Sequence, residues 1–369
     1  MLTRFFLRRQ APDGRGERMS RKRSRWVVLS ISKEAAIITL CVGGALLLSQ
    51  LQPSARVLAT VWASLSHVAP GTEAPARQGI SAVKSPAQYA VRAQLQEIAK
   101  RYDAPPSDAR VDSVWKLIPG LNGVRLNIPD TEKQIAAAGT QARLVFTQIP
   151  PAISGKDFVA QPIYRGNPQK RQMALMINVA WGTEYVPEIL KIFERLHVRA
   201  TFFLDGSWTA KSGATAKMIA AAGMELGNHA YTHPQMSRLS RIQMISQIER
   251  TNQAILRATG VKADLFAPPS GDYNDLVVRV AAGLKMKTIL WTIDTIDWRK
   301  PSPAVIVSRV TGKRTPGALV LMHPTAPTVA ALPQLIDTLH RDGYSLVTVS
   351  QLLSPVRPVP ATIQDALHS

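Results

Sequence analysis

The chain is predicted to be an α/β protein: an incomplete (β/α)7 barrel, preceded by a small α/β module and an N-terminal membrane segment. Three observations predict the barrel and what precedes it. Seven short β-rich runs alternate with helical stretches between residues 173 and 349, the rhythm of repeated βα units on a parallel sheet. No glycine-rich phosphate loop follows the first run, which disfavours a dinucleotide fold. Finally, a 15-residue apolar run, AAIITLCVGGALLLS at 35–49, sits directly behind a basic arm.

That arm, residues 1–34, carries nine Lys or Arg against two acids in its first 25 residues, about a third of the net charge of +20. It is read as the cytoplasmic topology signal of a single-pass anchor over residues 35–51, with everything beyond exported across the cell membrane. As a helix the apolar run spans only ~22 Å against a ~30 Å hydrocarbon core, so the snorkelling Lys33 and its neighbours complete the crossing. The alternative is a cleaved signal peptide, which would make the protein secreted. A nucleic-acid tail is not indicated, because no stacking aromatics, zinc knuckle or helix-turn-helix pattern accompany the charge. Cys41 is the only cysteine and lies in the apolar run, so no intrachain disulfide is expected.

Residues 52–87, rich in Pro, Ala, Gly and Ser, read as a flexible linker. The small α/β module is placed at 88–163: a helix near 88–102, a hairpin turning at Asn122-Gly123, and a strand within ARLVFTQI at 142–149. Trp115 and Phe146 are read as its core. The barrel domain is placed at 168–355, and 356–369 as a tail.

The barrel strands are MALMINV from 173, RATFFL from 199, MELG from 224, DLF from 264, KTILWTI from 287, ALVLM from 318 and YSLVTV from 344. In parallel α/β folds the strand C-termini open on one rim, where ligands bind. The rim therefore gathers Ala180-Trp181-Gly182, Asp205, His229 with His233, Ser270, Asp294 with Asp297-Trp298, and His323. Two imidazoles at i and i+4 are a weak metal signal alone, more often a satisfied pair. Sharing a rim with His323 and two carboxylates strengthens it and points to metal-assisted hydrolysis.

The order HAYTHPQMSRLS, FAPPSGDYN, WTIDTIDW, LVLMHP resembles the polysaccharide deacetylase (NodB-like) family of carbohydrate esterases across residues 168–353. VDSVWKLIPGLNG and PIYRGNP, leading into MALMINVAWG, are most similar to its sporulation-associated branch. The resemblance implies hydrolysis of N-acetyl groups on peptidoglycan or chitin-like glycan, assisted by a divalent metal, zinc or similar. It makes His229 and His233 the metal histidines and His323 the general acid. Asp294 to Trp298 become the wall that orients that acid.

Where the family has two adjacent aspartates, the base and the carboxylate ligand, this chain has Ala180 and Trp181. The arginine that pairs with the base is replaced by Ala267, and a tyrosine by Ser270. These losses are coupled, since an arginine without its carboxylate is a costly unpaired charge. Asp205 is the candidate third ligand or base, against the plainer reading of a helix cap; Glu184 is a poorer candidate. Trp181 either fills the vacated metal pocket or offers a face for a sugar ring. Two readings remain: a hydrolase with a rebuilt metal site, predicting metal-dependent acetate release, and an inactive glycan- or protein-binding relative, predicting binding without release.

Overall fold

The computed structural model describes residues 85–158 and 160–368. The basic arm, the 35–51 segment with Cys41, and nearly all of the linker fall outside the described residues. Among the described residues no helix is long and apolar enough to cross a membrane. They belong to one compact unit.

The first helix, α1 (Pro86–Tyr102), starts where Ser85 and Gln88 form a reciprocal capping box, with Pro86 inside the first turn. Strands β1 (Arg110–Asp112) and β2 (Lys116–Ile118) pair antiparallel. The turn between them is made by Asp112, whose Oδ1 accepts from the backbone of Val114 and Trp115.

Asn122-Gly123 is therefore not the hairpin turn. Gly123 opens β3 (Gly123–Leu126), which pairs with the distant β4 (Phe146–Ile149) across α2 (Ile128–Ala138). A Cβ at Gly123 would sit 2.6 Å from the Pro106 nitrogen and 2.8 Å from the Ala104 carbonyl. The glycine serves close backbone approach, which a sequence pattern does not distinguish from a turn. The residues read as a tail return to this module: helix α11 (Ile363–His368) buries Ile363 and Ala366 against Leu95 and Ile98 of α1. Phe146 packs on that cluster, and Trp115 lies under the Arg165 guanidinium.

The large sheet is parallel throughout. Its strands are β5 (Gln172–Val179), β6 (Thr201–Leu204), β7 (Glu225–Asn228), β8 (Leu265–Phe266), β9 (Lys287–Thr288), β10 (Ile293–Asp294), β11 (Leu319–Met322) and β12 (Ser345–Leu346). They run in the order β10-β11-β5-β6-β7-β8-β9, and β12 pairs with the first residues of β5. KTILWTI, expected as one strand, is two. Residues 287–288 pair with β8 and residues 293–294 with β11, at opposite edges of the curled sheet. Between them Ile163 pairs with Ile289 and the Thr292 hydroxyl donates to the Tyr164 carbonyl, so the module's end closes the gap that keeps the barrel incomplete.

Strand β5 is buried along nearly its whole length, as expected of a central strand covered on both faces. Met173, Leu175, Ile177 and Val179 face the helices, while Ala174 and Met176 join Phe203, Leu265, Ala267, Ile289 and Leu319 inside. Among the covering helices, α3 (Val186–Arg195) carries Ile189, Leu190, Ile192 and Phe193 on its buried face. At the strands' N-terminal end, buried Lys170 donates to the carbonyls of Gln351, Leu352 and Ser354, closing α10 (Val349–Leu353). Burial lowers its ammonium to a pKa of about 8.

Candidate active site

The inward alternation fixes the rim. Asn178 and Ala180 continue the interior face of β5, and Asp205 continues that of β6 after Phe203. Val179 is in register with Leu204, so Ala180 stands beside Asp205. His229 follows β7, and His323 follows β11.

His229 is buried, and its Nδ1 lies 2.8 Å from the Ala267 carbonyl. Donation by Nδ1–H to that carbonyl leaves the lone pair on Nε2. His233, held at φ 53°, places its ring edge-to-face with His229 at 5.1 Å between centroids. The two histidines do come together as their spacing implies. Burial first, and the His233 charge second, push the His229 pKa down to about 3.

Unfolded, the His229 imidazole takes a proton near its ordinary 6.5; folded, it resists to about 3. Its contribution to stability is complete above 6.5 and is lost as pH falls toward 3. Urea unfolding at pH 7, 5.5 and 4.5 should show the His229→Gln variant losing less stability on acidification than the wild type, by about 1.4 kcal/mol per pH unit. Equal slopes for the two proteins would refute this.

Asp205 does not complete a ligand set. Its Oδ1 accepts from the Trp208 backbone and the Ser207 hydroxyl, capping helix α4 (Gly206–Lys211). Among the described residues no three His, Cys, Asp or Glu side chains group closely enough to hold a metal ion. The site as it stands offers two imidazoles, and its nearest rim carboxylate, Asp205, is not grouped with them, so it does not fit the divalent metal that the resemblance implies. Two buried acceptors on this rim, Asp205 Oδ2 and Asn178 Oδ1, have no hydrogen-bond partner.

On the other side, His323 is held by a buried carboxylate. Its Nδ1 lies 2.8 Å from Asp297 Oδ1, and its backbone donates to Asp297 Oδ2. The Thr328 hydroxyl donates to the same Oδ2 at 2.7 Å and meets Thr325 at 2.8 Å. Fully buried Asp297 is thus a positioning residue for His323. Thr325 and Thr328 escaped sequence reading, although Thr325, which caps helix α9 (Ala326–Arg341), carries the Thr-x-Pro signature of a helix start.

Asp294, expected to act beside Asp297, instead closes its own turn by accepting from the Ile296 backbone. Ser270 is exposed at φ 55°. Trp298 is 47% exposed, with Arg299 over its ring. Trp181, 44% exposed, stacks on His323 with ring planes 5° apart and centroids at 5.8 Å.

The model of the family described as polysaccharide deacetylase matches residues 165–289. An uncharacterized protein, YlxY of Bacillus subtilis, is 43% identical over 72% of this chain and 83% of its own length. The chain belongs to the polysaccharide deacetylase family. The solved structure of wild-type BA3943 of Bacillus anthracis, titled a CE4 family pseudoenzyme, is 42% identical, with a TM-score of 0.68 over 73% of this chain and 96% of that one. A BA3943 mutant titled as having restored enzymatic activity matches at 41% identity and a TM-score of 0.67, over 72% and 99% of the two chains. Against a polysaccharide deacetylase's chemical needs, the rim keeps the imidazoles and the His323–Asp297 pair.

Proposed function

We propose that this chain is a cell-envelope polysaccharide deacetylase homologue that binds N-acetylated glycan at the rim and does not hydrolyse it by the family mechanism. The observation that carries this reading is the Trp181–His323 stack. The position of the ligand carboxylate is taken by Trp181, whose indole runs parallel to the His323 ring with centroids 5.8 Å apart. Ala180 leaves the base position without a charge, and the neighbouring Asp205 is engaged as a helix cap.

Half-exposed Trp181 and Trp298 offer flat apolar faces of the kind that stack on pyranose rings. The full chain is expected to bind N-acetylated chito-oligomers or peptidoglycan fragments in calorimetry, and Trp181→Ala/Trp298→Ala to weaken binding at least ~10-fold, about 1.4 kcal/mol. Wild-type acetate release that disappears in Asp205→Asn would instead put catalysis on a rebuilt site.

The envelope placement rests on the basic arm followed by the apolar run at 35–51. Protease added to intact cells should digest the barrel and spare residues 1–34. Protection of the barrel would contradict export.

A further inference from the structure

A cavity of about 1040 Å³ lies between the small module and the opposite, N-terminal end of the barrel strands. It is unrelated to the rim: Met286 and Lys287 line it at the start of β9, and Val278 and Ala282 line it from helix α7 (Asp275–Gly283). Leu117, Phe158, Ile163 and Leu353 supply most of the remaining apolar wall. Its volume is at the upper end of small-molecule sites, ~300–1,000 Å³.

One feature shows that this is more than an imperfect seam: Lys156, Lys285 and Lys287 line the cavity, while no aspartate or glutamate among the described residues does. The adjacent Asp157 is held at the edge, its Oδ2 accepting from the backbone and hydroxyl of the lining residue Ser154. An apolar cleft with one-signed lysines selects an occupant with a long apolar body and an anionic head, and lysine ammonium groups suit a phosphate as compact point charges.

We infer that this cavity binds an alkyl or prenyl phosphate, its chain lying along the apolar wall and its phosphate meeting Lys156, Lys285 and Lys287. A diazirine-bearing dodecyl phosphate, photolysed with the full chain in phosphatidylcholine nanodiscs, should crosslink to peptides containing Phe158, Val278 or Met286. Free dodecyl phosphate should compete and dodecanol should not. Lys285→Gln/Lys287→Gln, at two exposed positions, should cut the crosslinking at least tenfold, as should Ala282→Trp by filling the cleft.

Equal competition by dodecanol would overturn the phosphate assignment. Crosslinks spread over the surface, or unchanged in the lysine variant, would overturn the site. Competition by an oligoglutamate peptide, with none by dodecyl phosphate, would make the cleft a peptide groove and overturn the inference as well.

Discussion

Full-length protein carrying Ala180→Asp and Trp181→Asp, supplied with zinc or cobalt, is expected to release acetate from N-acetylated chito-oligomers at least ~10²-fold faster than the wild type. A placed general base alone is worth ~10² to 10⁴, and a completed metal site adds Lewis-acid activation of the carbonyl and water. Most of what such chemistry needs is already held in place. His229 and His233 stand side by side, with His229 oriented by the Ala267 carbonyl. His323 is aligned by Asp297, which is itself held by Thr328.

The substitution at 181 does two things: it adds a carboxylate and removes the indole that stacks beside His323. The carboxylate at 180 is the harder addition. It would lie in register beside Asp205, whose free Oδ2 has no donor, and two neighbouring carboxylates raise each other's pKa. Adding Ala267→Arg on the facing interior wall should therefore raise the rate further, by supplying the missing counter-charge. A folded double variant that releases no acetate with any metal would mean that the rim has diverged beyond these positions.

What could be read from the sequence was whatever depends on residue type at a strand end. The βα rhythm and the order of the rim residues required only alternation and the rule that parallel strands open at their C-termini. His229, His233 and His323 lie where that rule puts them. What could not be read depends on long-range pairing. KTILWTI has the composition of one strand, and only Ile163, arriving from 126 residues earlier in the chain, splits it into two edges. Asp205 and Asp297 are both buried aspartates after strands. One became a cap and the other an orienting partner, according to which donors the neighbouring loops supplied. The stacking of Trp181 on His323 joins loops 142 residues apart, and only the closed sheet order brings β5 next to β11.

That adjacency makes Gly182 the most intolerant glycine of the rim, and Gly182→Ala is expected to cost about 3–5 kcal/mol of stability. Two effects combine. At φ +73° any side chain is strained, worth roughly 1–2 kcal/mol. In addition, a Cβ there would be driven into the Pro324 carbonyl, directly after His323. Backbone cannot swing aside as a flexible side chain does, so the loop after β11 must move, an overpacking cost of typically 1–3 kcal/mol or more. Gly260 separates the two effects, because it has φ +74° and nothing within 4 Å of an added Cβ. Gly260→Ala should lose only about 1 kcal/mol in urea unfolding, with the rim unchanged. Gly182→Ala should lose several times that, and with it the Trp181–His323 stack, visible as a change in tryptophan fluorescence. Equal losses in the two variants would show that the loops after β5 and β11 do not touch as tightly as this contact requires, and the Trp181–His323 stack would fall with it.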